Sequence, residues 1–357
     1  MTGLTEDNGD IIARREGAAG VIRLNRPRTI NALTLEMVRH IDAALDRFEA
    51  DGDVGLILLE GAGERGLCAG GDIRTLYDSS CAGGDLGAEF WREEYRLNAR
   101  IGRFPKPYVA FMDGLVMGGG VGLSSHGSHR VVTGRTRLAM PEVGLGFFPD
   151  VGGTWLLSRG PGEIGTYLTL TGQPMTGMDA IAAGLADVEV PAASLPALRQ
   201  ALIGLGGGVT AAAVADVLAG FAETGKTAPI AALTDEINQL FAFDDVAAIV
   251  AALREQDSPF ARATLEKLGE KSPRGMVVAL RLLRLGRQAG SLEDCLVREY
   301  RAAREVFRSD DFREGVRAVL VDKDRNPKWS PSRIEDVTPA IVAPYFAGIG
   351  ADELTFS

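Results

Sequence analysis

The sequence predicts an α/β fold in which strand-and-helix turns repeat through the first half of the chain and a helical region follows. Three observations carry this. Short apolar runs of strand length, such as 54–59 and 108–112, are followed by glycine turns and then by stretches of helical period. That strand, glycine turn and helix unit occurs at 54–76 and recurs at 108–125. From about residue 195 onward, strand signals give way to successive amphipathic stretches. The expected division is a core over 1–200 and a helical C-terminal region over 201–357.

Taken in order, 11–16 and 19–24 read as a β-hairpin with Gly17 or Gly20 near its turn. Leu35, Val38, Ile41, Ala44, Leu45 and Phe48 then recur at helical spacing behind Thr34, a natural N-cap. Residues 54–59 form a buried strand. Gly61, Gly63 and Gly66 match the spacing of a dinucleotide-binding loop, but the third glycine leads into a second glycine turn rather than a helix, so a nucleotide site is rejected. In that second turn, 68–72, Asp72 is placed to cap the helix that follows. Residues 90–98 form a helix with Phe90, Leu97 and Ile101 on one face, stopped by Pro105 and Pro107. Strands follow at 108–112 and 129–132, helices from Thr154 to Gly184, and a short strand at 186–190. The Ala- and Gly-rich stretch 195–229 keeps periodic Leu, Val and Phe, which makes it a helical connector rather than a disordered linker. Helices at 246–254, 260–268, 274–287, 292–307 and 312–319 complete the chain.

Composition sets outer bounds. The 357 residues are 46% hydrophobic and 24% charged, enough for one large domain or a domain with a sizeable appendage. A formal net charge of −10, from 38 basic and 48 acidic residues, excludes a general nucleic-acid or membrane-surface binder. Cys68, Cys81 and Cys295 form no pair pattern, and His40, His126 and His129 complete no metal site with them, so free thiols and no metal are expected. Residues 1–15 lack the apolar core of a signal peptide, and no apolar span of membrane length follows. The expected placement is cytoplasmic.

The chemistry concentrates in 113–153. Gly118, Gly119 and Gly120 open a short helix, where unpaired backbone N–H groups suit an oxyanion; a plain tight turn is the alternative. Ser124 and Ser125 miss the G-x-S-x-G elbow because His126 stands where the second glycine belongs, and Cys68 has no His to orient it. Carboxylates remain: Glu142 after Pro141, and Asp150 in the apolar sequence Phe147-Phe148-Pro149-Asp150. Read without context, Glu142 could cap the next segment and Asp150 form an Asx turn.

Four segments, 24–27 (LNRP), 68–72 (CAGGD), 117–120 (MGGG) and Pro141-Glu142, together resemble the crotonase (enoyl-CoA hydratase/isomerase) superfamily. Within it, 90–95 (FWREEY), 118–124 (GGGVGLS), 148–153 (FPDVGG), 312–324 and 327–329 are similar to the 3-hydroxyisobutyryl-CoA hydrolases, so the resemblance spans most of the chain. It implies a crotonase-like spiral of repeated ββα turns with a helical C-terminal region. It also implies a thioesterase of valine degradation acting on a short 3-hydroxyacyl-CoA, with no cofactor beyond the coenzyme A carried by the substrate.

Residue by residue, the resemblance puts the oxyanion-hole N–H groups at Gly71 and Gly119, the principal catalytic carboxylate at Glu142, and Asp150 at the substrate hydroxyl. Glu94, Gly119, Glu142 and Asp150 then bind substrate, with a surface helix acid as the alternative for Glu94. Hydratases of the family carry a second glutamate just after the glycine triplet; here that position is Gly122. Adding water to an enoyl group uses two acids, whereas thioester hydrolysis needs one carboxylate and an oxyanion hole. The departure therefore argues for a hydrolase over a hydratase or isomerase, and the retention of Glu142 and Asp150 argues against a non-catalytic acyl-CoA-binding protein. Glu142 acts as nucleophile or as general base. Arg281, Arg284 and Arg287, with Arg26 and Arg28, are candidates for CoA phosphates or for a solvated face. The C-terminal helices could pack on their own core or on a neighbour's, the second giving a homo-oligomer.

Overall fold

The computed structural model describes residues 5–7, 9–206 and 208–356. Its strands are β1 (Thr5–Asp7), β2 (Ile11–Glu16), β3 (Ala19–Leu24), β4 (Leu56–Gly61), β5 (Gly66–Cys68), β6 (Tyr108–Met112), β7 (Leu115–Met117), β8 (His129–Thr133), β9 (Arg137–Ala139) and β10 (Val188–Val190). The chain falls into two compact units. The first comprises Met1–Gly71, Arg96–Leu138 and Met175–Ala231; the second comprises Asp72–Tyr95, Ala139–Pro174 and Ala232–Ser357. These units interleave along the sequence, and residues 201–231 group with the first unit.

The first unit is built on a seven-stranded sheet of order β1-β2-β3-β4-β6-β8-β10 and a small sheet of order β5-β7-β9. The β2–β3 hairpin turns at Gly17, whose φ of +55° is easy for glycine, and pairs Ile11 with Leu24. From β3 onward the pairing is parallel, which requires crossovers such as the helix Leu35–Ala50 between β3 and β4. That helix starts where its cap predicts: the Thr34 hydroxyl accepts from Met37 N–H at 3.2 Å. Gly66 begins a strand and not a helix, in keeping with rejection of the dinucleotide reading.

The stretch 195–229 is part of the first unit's core. Leu198 and Leu202 of the helix Leu195–Ile203, with Val214 and Leu218 of the helix Ala211–Ala219, bury against Val21, Leu58, Val109 and Val131 of the sheet. Arg199 fastens this layer through Glu16 on β2 and Glu60 on β4, at 2.9 Å each. The guanidinium holds the Glu16 carboxyl down at about 2.

The second unit is helical, and the helix Pro273–Arg287 is its axis. Met276, Ala279, Leu280, Leu282 and Leu283 are buried on it, and it packs on the helices Gly153–Ser158, Ile164–Thr171 and Leu292–Phe307. Gly286 allows a close crossing, since a Cβ there would stand 2.6 Å from the Thr154 carbonyl oxygen. Arg284 and Arg287 both bind the Glu163 carboxylate, at 3.0 and 2.6 Å, while Arg281 lies 4.1 Å over the Phe346 ring. These three arginines knit helices together. Their guanidinium groups are engaged by a carboxylate and a ring of this unit.

Candidate active site

Within the first unit the two glycine turns lie backbone to backbone. A Cβ built on Gly70, whose φ is +99°, would stand 3.4 Å from the Met117 carbonyl oxygen and 3.8 Å from the Gly119 nitrogen. One built on Gly120 would stand 2.8 Å from both Cβ and the carbonyl oxygen of Cys68. The first turn is fixed by Leu33 N–H donating to the Gly70 carbonyl at 2.8 Å and Ala69 N–H to the Ile30 carbonyl at 2.9 Å. Asn31 organises it further. It is fully buried, sits at φ +55°, and its amide donates to the carbonyls of Ala62 and Leu67. The Gly71 N–H takes no part in those bonds. In the second turn the first donors of the helix Gly119–Ser124 are Val121 and Gly122, both to the Gly118 carbonyl; the Gly119 N–H precedes them. Ser124 and Ser125 spend their hydroxyls on the carbonyls of Gly120 and Leu185, at 2.7 and 3.2 Å, and the Cys68 thiol donates to the Asn31 carbonyl.

Within the second unit the carboxylates are buried together. Glu142 opens the 3-10 turn Glu142–Leu145 and is 8% exposed; Asp150 is 5% exposed; Glu94, on the helix Leu86–Gly102, is 2% exposed. The surface-acid reading of Glu94 is thereby removed. Among the described residues, Glu94 Oε1 and Glu142 Oε2 are buried atoms without a hydrogen-bond partner, a costly state unless a ligand or a proton satisfies them. The Asp150 Oδ2 accepts from the Tyr95 hydroxyl at 2.7 Å. An Asx turn at Asp150 would claim the Gly152 N–H, but that donor goes to Glu299 at 2.7 Å. The surroundings are aromatic: Phe147 stacks on Phe148 and on Trp91, with ring centroids 4.6 and 5.1 Å apart.

This setting controls ionisation. Burial, reinforced by the Asp150 charge, holds the Glu142 carboxyl well above the usual carboxylate range. Burial and the charges of Asp150 and Glu142 do the same to Glu94. Burial pushes Asp150 up to about 7 against the Tyr95 hydrogen bond, with the Glu299 charge adding to the rise, and burial pushes Glu299 up to about 7 against its own hydrogen bonds. Acids raised on folding bind their protons more tightly in the folded state, so between roughly pH 4 and 7 folding takes up protons and stability falls as pH rises. Each group contributes about 1.4 kcal/mol per pH unit while it is protonated only when folded. Urea unfolding between pH 4.5 and 7.5 is expected to show this decline, with a gentler slope in Asp150→Asn. Stability that is flat or rises across the window would mean the acids are ionised in the folded protein.

Sequence reasoning missed Tyr95 and Glu299. Tyr95 adjoins Glu94 and carries the only signal nearby; Glu299 sits far along the chain in an amphipathic helix and carries none. All three cysteines are free thiols, and among the described residues no cluster of His, Cys, Asp and Glu could hold a metal ion.

Comparison with known proteins places these features in a family. A family model described as enoyl-CoA hydratase/isomerase matches residues 19–346. The 3-hydroxyisobutyryl-CoA hydrolase, mitochondrial, of Xenopus tropicalis is 43% identical over 99% of this chain and 93% of its own length. Among solved structures, a carnitinyl-CoA dehydratase from Mycobacterium thermoresistibile superposes with a TM-score of 0.92 at 46% identity, covering 98% of this chain and 99% of that one. An enoyl-CoA hydratase from Rhodobacter sphaeroides 2.4.1 gives 0.89 at 42% identity, covering 97% and 100%. The fold is the crotonase fold with a helical C-terminal region, and the chain belongs to the enoyl-CoA hydratase/isomerase family.

Proposed function

We propose that this enzyme hydrolyses a short 3-hydroxyacyl-CoA thioester, with 3-hydroxyisobutyryl-CoA as its substrate. One observation carries the reading: Glu142 is a buried acid with an unpartnered oxygen, while the position of the family's other acid is Gly122. The hydrolase names of full-length relatives support it.

In this reading the Gly71 and Gly119 N–H groups bind the thioester oxygen as negative charge develops there. One such donor is worth ~10² to 10³ in rate. Glu142 either attacks the thioester carbon to form a mixed anhydride that water then cleaves, or takes a proton from attacking water. In both routes the C–S bond breaks, the CoA sulfur leaves with the electron pair and gains a proton, and one water is consumed per free acid formed. Asp150 binds the 3-hydroxyl, and Glu94 lines the same acyl site. Cytoplasmic placement and assembly through the C-terminal helices belong to this reading. The relatives' names place those proteins in mitochondria, and among the described residues no helix is long and apolar enough to cross a membrane.

The names of the two solved structures favour a second reading, hydration or dehydration of an enoyl-CoA. A panel of short acyl-CoAs separates the two. Free thiol should appear from 3-hydroxyisobutyryl-CoA while crotonyl-CoA is barely hydrated. Rapid loss of enoyl absorbance without thiol release would establish the second reading instead.

A further inference from the structure

Asp150 is held at two points, and only one of them is its own side chain. Tyr95 donates to its carboxylate. Immediately after it the backbone enters the left-handed region at two successive residues, Val151 at φ +52° and Gly152 at φ +78°. Glycine adopts this conformation freely, but a β-branched valine does so only when its surroundings impose it.

What imposes it comes from the helix Leu292–Phe307. Glu299 on that helix is 0% exposed, and its two carboxylate oxygens take three donors from the turn. Oε2 accepts from Gly152 N–H at 2.7 Å; Oε1 accepts from Thr154 N–H at 3.0 Å and from the Thr154 hydroxyl. A carboxylate is the one side chain that offers acceptors at both ends and no donor, so it suits a turn presenting two N–H groups and an O–H. Above about pH 7, where the group is ionised, its bonds are charge-assisted and stronger than those of a neutral amide. An apolar side chain would fill the same space without the cost of burying a charge, which makes the gripped turn the reason for an acid here.

We propose that Glu299 is the positioning residue for Asp150: by gripping Gly152 and Thr154 it fixes the left-handed turn that sets the direction of the Asp150 side chain. Its catalytic readout rests on the function proposed above, while the grip on the turn stands apart from it.

The test uses the full-length protein as wild type, Glu299→Gln, Thr154→Val, Asp150→Asn and the Asp150→Asn/Glu299→Gln double variant. kcat/KM is measured on 3-hydroxyisobutyryl-CoA and on isobutyryl-CoA, alongside amide exchange at Gly152 and Thr154. Glutamine keeps one acceptor but turns an amide donor toward the turn. Glu299→Gln should lose about 10- to 100-fold on the hydroxylated thioester, the range for one hydrogen bond to a charged group, and far less on isobutyryl-CoA. The double variant should be within about twofold of Asp150→Asn alone, because residues acting through one another are not additive. Thr154→Val removes only the hydroxyl and should lose about three- to tenfold in the same substrate-selective way; it carries the comparison if Glu299→Gln does not fold. Equal losses on both substrates, or losses that multiply in the double variant, overturn the proposal, because a purely structural role would produce them. If the wild type hydrolyses neither thioester, the proposed function fails and exchange decides. Faster exchange at Gly152 and Thr154 in Glu299→Gln but not in Asp150→Asn supports the grip, and unchanged exchange refutes it.

Discussion

Glu142→Gln is expected to reduce thioester hydrolysis to less than a few per cent of the wild-type rate while leaving acyl-CoA binding measurable. Glutamine has the same shape and fits the same buried site after Pro141, but it has neither the nucleophilic oxygen nor the basic lone pair of a carboxylate. General acid–base groups contribute about 10² to 10⁴ in rate, and a lost covalent nucleophile costs at least as much. Stability should move the other way. Burial holds the Glu142 carboxyl well above the usual range, so ionising it near neutral pH works against folding, and a neutral amide removes that cost. The variant should therefore melt no lower than wild type at pH 7.5. Measuring kcat and the melting temperature on one preparation separates chemistry from unfolding. A rate above a few per cent with an intact fold would move the catalytic role to another acid, with Glu94 the next buried carboxylate to test.

Asp150→Asn should discriminate between substrates. The asparagine carbonyl can still accept from the Tyr95 hydroxyl, which lies 2.7 Å from Oδ2, so the side chain stays in place. What disappears is the charge offered to a substrate hydroxyl. A hydrogen bond to a charged group is worth ~1.5 to 3 kcal/mol, or one to two powers of ten in rate. That loss should fall on 3-hydroxyisobutyryl-CoA and largely spare isobutyryl-CoA, which has no hydroxyl to bind. Read as transition-state free energies from kcat/KM, equal losses on the two would assign Asp150 to the chemistry or to the fold.

The parts of this molecule legible from sequence are those decided by neighbours along the chain. The hairpin turn, expected at Gly17 or Gly20 and found at Gly17, the Thr34 cap and the Asp72 cap of the helix Ile73–Cys81 each follow from a few consecutive residues. The strand β4 was read two residues early at its start, since pairing and not hydropathy sets its ends. Long-range pairing was not legible. Glu94 sits in a charged run, Arg92-Glu93-Glu94, that reads as a solvated helix face, yet Glu94 is among the most buried acids of the second unit. Asn31, to which no local pattern points, is fully buried, its amide bonded to carbonyls some thirty residues away. Arg284 and Arg287 have a spacing equally suited to phosphate or to carboxylate, and only the position of Glu163 decides it. For the candidate site, the resemblance to the family picks out Gly71, Gly119, Glu142 and Asp150, which lie in two glycine turns and one short apolar loop. Tyr95 and Glu299 reach Asp150 and its turn from separate helices.

The interleaving of the two units also orders events in time. Strand β10 pairs in parallel with β8, Val188 beside Val131 and Val190 beside Thr133, and it forms one edge of the main sheet. Between these partners the chain runs through 139–174, which belong to the other unit. A ribosome delivering this protein from its first residue therefore releases β8 well before any partner for its free side exists. Until residues 188–190 emerge, the backbone donors and acceptors of Val131 and Val132 form an open strand edge, the kind of edge that recruits other chains. The length of chain between these partners, 134–187, sets how long that edge stays unpaired during synthesis.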